Sequence, residues 1–224
     1  MQWNRSILTA MQCPLCQNHP TQDISPPAGR RELFYRCVAC DLIFKNKNSY
    51  LNNAQEKERY DNHENHDTPE YRNFLSQIID PVLPQLNHQM HGLDFGCGPN
   101  PLLAKILTEK GFLCESYDPI YWPEKGLLQN QYDFIFCSEV VEHFYQPHRE
   151  WPLMLQLLKP DGFLTVMTQS PPNDFANWYY HRDPTHVGFY SAHTMKWIAR
   201  RWQLELTSYP KGVWLFKMMK AFVG

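Results

Sequence analysis

Gly92-Leu93-Asp94-Phe95-Gly96-Cys97-Gly98-Pro99-Asn100-Pro101 reads as the end of a strand, a glycine turn and the start of a helix. The strand should run from His91 to Phe95 and the helix over about 101–110. Gly96 and Gly98 carry no Cβ, so the backbone there can take positive φ and a ligand can lie against it. The helix that follows offers unpaired N–H groups and a partial positive charge to a carboxylate or phosphate. A second strand, Phe112 to Tyr117, then delivers Asp118 where it could accept hydrogen bonds from both hydroxyls of a ribose. The combination predicts a crevice for a nucleoside cofactor. The plainer alternative is a strand-to-helix turn with no ligand.

A dinucleotide fingerprint would spell this turn G-x-G-x-x-G. Counted from Gly96, its third glycine falls at position 101, which is Pro101, so a nicotinamide oxidoreductase is disfavoured. From His91 onward, strand and helix patterns alternate, which implies a parallel sheet with helices on both faces. Gln131 to Cys137 reads as a buried strand, Pro147 to Leu158 as a helix, Lys159-Pro160-Asp161-Gly162 as a turn and Phe163 to Thr168 as the next strand. Ser191 opens a helix, and Leu204 to Thr207 and Val213 to Phe216 read as the last two strands. The run between Asp118 and Asp133 is short, which argues against a regular third strand there. Upstream, Ala54 to Tyr60 has room for one or two helical turns, and Asp67 or Thr68 caps a helix whose apolar face is Tyr71, Phe74, Leu75, Ile78 and Ile79.

Asp94-Phe95-Gly96-Cys97-Gly98, Asp118, Cys137-Ser138-Glu139-Val140-Val141-Glu142-His143, Leu158-Lys159-Pro160-Asp161-Gly162 and Asp183-Pro184-Thr185-His186 together resemble the class I S-adenosylmethionine-dependent methyltransferase superfamily. The likeness extends from about Tyr60 to the C-terminus and is strongest to a bacterial branch with an N-terminal zinc ribbon. Asn100 stands where the family's motif usually has its last glycine, a mild departure because Asn tolerates left-handed backbone. The resemblance implies an α/β, Rossmann-like, seven-stranded, mostly parallel sheet with the last strand antiparallel. It implies that Asp94, Gly96, Cys97 and Gly98 border S-adenosyl-L-methionine, that Asp118 binds its ribose, and that Ser138 and Glu139 line the floor near the reacting methyl. Tyr60 and His63 resemble a segment that closes over the cofactor. The adenine-contacting residue has no clear counterpart.

Two C-x-x-C knuckles, Cys13-Pro14-Leu15-Cys16 and Cys37-Val38-Ala39-Cys40, are separated by twenty residues. Each knuckle can hold two thiolates about one tetrahedral edge apart, so the pair predicts a structural Zn2+ site with no open position for water. A turn at Pro26-Pro27-Ala28-Gly29 and a short strand, Glu32 to Arg36, complete the outline of a zinc ribbon. Disulfides are the rival, but nothing else points to an oxidising compartment. Cys97, Cys114 and Cys137 read as core residues rather than nucleophiles. The expected organisation is a ribbon over 1–48, a helical linker and cofactor lid over 49–89, and the catalytic domain over 90–224.

The net charge of −2 argues neither for nor against a polyanionic partner, and no apolar run approaches the roughly 18 residues that span a bilayer. With no signal-peptide pattern after Met1, a soluble cytoplasmic protein without a membrane partner is expected.

The stretch from Asn173 to His186 mixes aromatic and titratable groups where a substrate pocket is expected. His186 ranks first as a general base and His181 second, a histidine being suited to proton transfer near neutral pH. His186 has an equally plain reading as a structural histidine that hydrogen-bonds a loop. Glu142 could pair with Arg182 or His186 or be solvated, and His143 reads as a packing or cofactor-side residue. The aromatic set Trp178, Tyr179, Tyr180, Phe189 and Tyr190 would form a substrate wall or a lid packed on its own domain. The acceptor is unidentified, with a small molecule favoured over RNA. An RNA methyltransferase using the ribbon's Arg30, Arg31, Arg36, Lys45 and Lys47 as a grip, and a cofactor-binding protein without catalysis, are the alternatives.

Overall fold

The computed structural model describes residues 8–9, 11–19, 21–24, 33–62 and 65–219. The expected turn at 26–29, with Arg30 and Arg31, and His63 lie outside the described residues.

The N-terminal part holds β1 (Leu8–Thr9), β2 (Thr21–Ile24), β3 (Phe34–Cys37) and β4 (Ile43–Lys45). Two helices follow, α1 (Asn53–Asp61) and α2 (Pro69–Ile79). Asn52 caps α1, accepting from the amides of Ala54 and Gln55 while the Gln55 side chain accepts from the Asn52 amide, so both ends of the capping box are made. Thr68 caps α2, with Pro69 in the first turn where no N–H is needed.

The remainder is β5 (His91–Phe95), α3 (Leu102–Glu109), β6 (Leu113–Tyr117), β7 (Tyr132–Ser138), α4 (Pro147–Gln156), β8 (Leu158–Met167), β9 (Gly188–Phe189), α5 (Ala192–Arg201), β10 (Leu204–Tyr209) and β11 (Val213–Met218). One sheet has six strands in the order β10-β11-β8-β7-β5-β6. β6, β5, β7 and β8 run parallel, and β11 is antiparallel to both β8 and β10. This is a Rossmann-like α/β fold with a mostly parallel sheet.

The alternation of β7 divides the core. Phe134 and Phe136 point to one face, where α2 and α3 cover them with Ile78, Ile79, Leu103 and Leu107. Ile135 and Cys137 point to the other, under Trp151 and Met154 of α4 and Met195 and Ile198 of α5. Sheet residues flanked by helices on both sides read as continuous apolar runs.

The expected seventh strand is not found among the described residues. Between Asp118 and Tyr132 the chain makes one antiparallel bridge, Asp118 to Trp122, and a 3-10 turn over Lys125–Gln129. Pro119, Pro123 and Gly126 interrupt this short segment, and two prolines remove the donors a ladder would need. β8 also begins earlier than expected. Instead of stopping at a turn, the ladder continues from Leu158 through a register shift opposite Tyr132 and Phe134. Asp161 has φ of 62°, and a Cβ at Gly162 would stand 2.8 Å from the Lys159 carbonyl oxygen, so the bulge needs glycine there.

The second sheet has the order β1-β2-β3-β4-β9. Its last strand comes from the C-terminal part of the chain: Ile43 pairs with Phe189 and Phe44 with Gly188. The knuckle region is therefore stitched to the segment that follows His186. The amide of Lys45 donates to the Val187 carbonyl (2.9 Å), the Ser191 hydroxyl to Asp41 (2.6 Å), and the amide of His148 to the Pro14 carbonyl (3.2 Å). No helix among the described residues is long and apolar enough to cross a membrane.

Candidate functional site: a crevice above the parallel strands

A crevice of about 1350 Å³ opens at the carboxyl ends of β5, β6 and β7, with α1 along one side. Ligands of open α/β sheets bind in this place. Its wall includes Asp94, Gly96, Cys97 and Gly98 from the turn after β5, Asp118 after β6, and Ser138 and Glu139 at the end of β7. Tyr60 lines it from α1.

The glycine turn is held from β6: the amides of Gly96 and Cys97 both donate to the Tyr117 carbonyl, at 2.8 and 3.2 Å. Gly96 has φ of 79°, and an added Cβ would sit 2.6 Å from the Val140 methyls. Gly98 has φ of 65°, but a Cβ there would meet nothing within 4 Å. The first glycine is required by packing and conformation together, whereas the second faces open space in the crevice. Such a gap is what a cofactor lying against the backbone needs.

Asp118 is nearly buried and accepts three backbone amides. Gly98 donates to Oδ2 at 3.0 Å, and Ile120 and Tyr121 donate to Oδ1 at 2.8 and 3.0 Å. Asp94 is buried, and burial pushes its carboxyl up to about 7, with a contribution from the charge of Asp118. A positive charge placed beside this acid would favour its ionised form. Burial pushes the thiols of Cys97, Cys114 and Cys137 upward, so none is poised as a thiolate nucleophile. These residues fit an S-adenosylmethionine-type cofactor: a backbone gap, a rim carboxylate and a buried acid share one crevice.

The other end of the crevice is built by two segments far apart in the chain. Glu139, directly after β7, has φ of 54°, and its amide donates to the Met167 carbonyl at 2.8 Å. Glu142 and His143 lie in a single 3-10 turn, Val141–His143. The amide of Val187 donates to the Glu142 carbonyl at 2.8 Å, which brings His186 alongside. The Tyr180 hydroxyl lies between two carboxylates, 2.9 Å from Glu139 Oε2 and also against Glu142 Oε1. Burial pushes both acids above the usual carboxylate range, and the proximity of Glu139 raises Glu142 further.

His186 and His143 line the crevice. His186 Nδ1 lies 2.7 Å from the Tyr180 carbonyl and His143 Nδ1 3.2 Å from the Thr185 carbonyl. A carbonyl only accepts, so Nδ1 carries the proton in both rings. His181 is placed elsewhere: it is buried against Phe34 and Phe175, its Nε2 faces the Ala176 carbonyl at 3.3 Å, and it is not part of the crevice wall. The aromatic set also divides. Tyr179 and Tyr180 line the crevice, Trp178 and Phe189 pack into a cluster with Phe34 and Phe175, and Tyr190 is buried against Trp151.

Sequence reasoning left Glu142 open between pairing and solvation, and did not bring Tyr180 to it. It missed Arg59, whose guanidinium donates to Asp183 at 2.7 Å and ties α1 to the loop before His186. The signal available was the charge of Arg59 on a helix beside the crevice, but its partner lies 124 residues away.

The four knuckle cysteines converge. Cys13 Sγ is 3.6 Å from Cys40 Sγ, Cys16 Sγ is 3.4 Å from Cys37 Sγ, and all four sulfurs lie within 4.8 Å of one another. With Zn–S bonds near 2.3 Å, tetrahedral edges of about 3.8 Å follow, so the cluster suits zinc.

A family model described as a methyltransferase domain matches residues 31–209, and the chain belongs to that family. Among solved structures, it resembles an O-methyltransferase family protein from Burkholderia thailandensis (15% identity, TM-score 0.48, 68% of this chain and 58% of that one). A methyltransferase from Archaeoglobus fulgidus gives 19% identity and a TM-score of 0.49 over 60% and 69% of the two chains. The 1,6-didemethyltoxoflavin-N1-methyltransferase of Burkholderia thailandensis gives 13% and 0.49 over 88% and 100%. This chain thus spans little more than half the length of the first of these. Comparison with curated protein sequences gives no match.

Proposed function

We propose that this protein transfers a methyl group from S-adenosyl-L-methionine to an oxygen, nitrogen or carbon nucleophile of a small molecule. One observation carries the reading: Gly98 leaves open space facing the crevice while its amide is bonded to Asp118, so the turn and the rim carboxylate form one rigid cradle. When bound, the cofactor supplies an electrophilic methyl on a sulfonium sulfur, so the chain's own work is alignment and proton handling. Asp94, Gly96, Cys97, Gly98, Asp118, Ser138 and Glu139 hold the cofactor side, with Tyr60 and His63 closing over it. His186 serves the acceptor end; His181, buried outside the crevice wall, does not.

The crevice volume of about 1350 Å³ exceeds the roughly 300–1,000 Å³ usual for a single small-molecule pocket, leaving room for an acceptor beside the cofactor. A small acceptor is the reading we favour over RNA. Of the ribbon cations, Lys45 is buried with its Nζ donating to the Pro184 carbonyl, so it does not join an exposed basic stripe. The organisation we propose is a zinc ribbon over 1–48, a helical lid over 49–89 and a catalytic domain over 90–224, with Zn2+ purely structural.

Radiolabelled methyl transfer from the cofactor into fractionated cell extract tests the reading. Label in the metabolite fraction supports it, label in RNA redirects it, and absence of both transfer and cofactor-product binding overturns it.

A further inference from the structure

Glu142, His143 and His186 can each present one ligating atom such that all three lie within 4.8 Å of one another. Two histidines and one carboxylate around a point facing a cavity form a recurrent donor set for divalent first-row metals, one that leaves positions open for substrate or water. Nothing in the proposed methyl transfer requires these three groups to converge.

Three further features match a metal centre. Both rings have their Nδ1–H directed to backbone carbonyls, His143 to Thr185 and His186 to Tyr180, which fixes the tautomer and places the ring lone pair on Nε2. Glu142 is fully buried, and its Oε2 has no hydrogen-bond partner among the described residues. A buried acid oxygen without a donor is costly unless a proton or a cation completes it. Finally, Glu139 and Glu142 share the single hydroxyl of Tyr180. One O–H can donate to only one of them at a time, so it cannot satisfy both carboxyl groups together.

We propose that Glu142, His143 and His186 hold a divalent first-row cation at the acceptor end of the crevice, with Glu139 beside it. The site is separate from the cysteine cluster, and its mixed nitrogen–oxygen donor set suits a harder ion than four thiolates do. His186 then acts as a ligand rather than as a base. Resting on the methyltransferase reading, this also narrows the acceptor: a cation with open positions would bind a hydroxyl oxygen and lower its pKa, so the acceptor class is an oxygen nucleophile. The two imidazole rings stand 4.8 Å apart between centroids with their planes at 68°.

The test is titration of Mn2+ alone into the zinc-loaded full chain, followed by loss of the free-ion electron paramagnetic resonance signal. One Mn2+ should bind per chain, and Glu142→Gln and His186→Ala should each weaken it by about tenfold or more. Paramagnetic broadening of the His143 and His186 side-chain resonances in the unaltered protein gives a second readout that needs no variant. No Mn2+ bound at millimolar concentration, binding unaffected by both substitutions, or broadening at other histidines would each overturn the site. Calorimetry with S-adenosylhomocysteine separates the two proposals. Retained binding without Mn2+ uptake sinks only the metal, while Mn2+ uptake without nucleoside binding sinks the methyltransferase reading.

Discussion

The amide of Gly98 donates to the carboxylate of Asp118 across 3.0 Å, joining the turn after β5 to the turn after β6. The acid that the motif offers to a ribose is therefore also the brace of the glycine turn. Its other oxygen is committed to the amides of Ile120 and Tyr121.

Asp118→Ala should for that reason harm stability as well as cofactor binding. Three backbone donors lose a charged acceptor, and a loss of about 2 kcal/mol or more is expected. Chemical denaturation measures the first effect and calorimetry with S-adenosylhomocysteine the second. An unchanged fold with lost binding would mean that the brace is dispensable.

The two glycines should respond differently to alanine. Gly96→Ala meets Val140 at 2.6 Å as well as a positive φ, so it should destabilise strongly, and Val140→Ala should restore part of the loss. Gly98→Ala meets only the left-handed backbone cost of roughly 1–2 kcal/mol, yet it fills the space facing the crevice. Melting temperatures should fall more for Gly96→Ala, and for Gly98→Ala the loss of cofactor affinity should exceed what its modest destabilisation explains.

Removal of zinc should disturb the acceptor end at a distance. β4 pairs with β9 immediately after His186, and the Lys45 amide holds the Val187 carbonyl. Chelation, or Cys37→Ser, should lower both the melting temperature and methyl transfer, because metal binding and folding of the knuckles are linked. Atomic absorption should find one zinc per chain beforehand. Full activity in a zinc-free protein would uncouple the ribbon from the site.

Asp94 gives a pH dependence of known sign. Burial raises its carboxyl from an ordinary 3.8 to about 7, while an amide hydrogen bond from Ala104 pulls the other way. An acid raised in the folded state contributes stability fully present below the unfolded value and lost as pH rises through about 7. Between pH 4 and 8 the unaltered protein should therefore lose stability relative to Asp94→Asn, whose side chain does not ionise. A cationic ligand reverses the preference, so cofactor binding below pH 7 should release a proton, detectable by calorimetry in buffers of different ionisation enthalpy. Parallel melting curves for the two proteins would contradict the buried-acid reading.

Much of this was legible before any coordinates, for local reasons. The β5 boundaries, the turn before α3, the Ser191 cap on α5 and each C-x-x-C knuckle follow from residues within a few positions of one another. The missing third strand was legible too, since two prolines and a glycine in a short connection leave little ladder to form. The early start of β8 was not, because its bulge depends on carbonyls of Asp133 and Tyr132 crowding Gly162 from a neighbouring strand.

The amino-acid order alone determined the nucleotide-type turn, the acid facing it and the thiol knuckles, since glycine conformation, hydrophobic period and thiol spacing act over short stretches of chain. Only the tertiary structure decided that β9 belongs to the knuckle sheet, that His181 is buried among phenylalanines, and that His186 meets Glu142 and His143. Those outcomes depend on strand pairing and packing between segments some forty or more residues apart, whose free energy is spread over many weak contacts and leaves no local pattern to read.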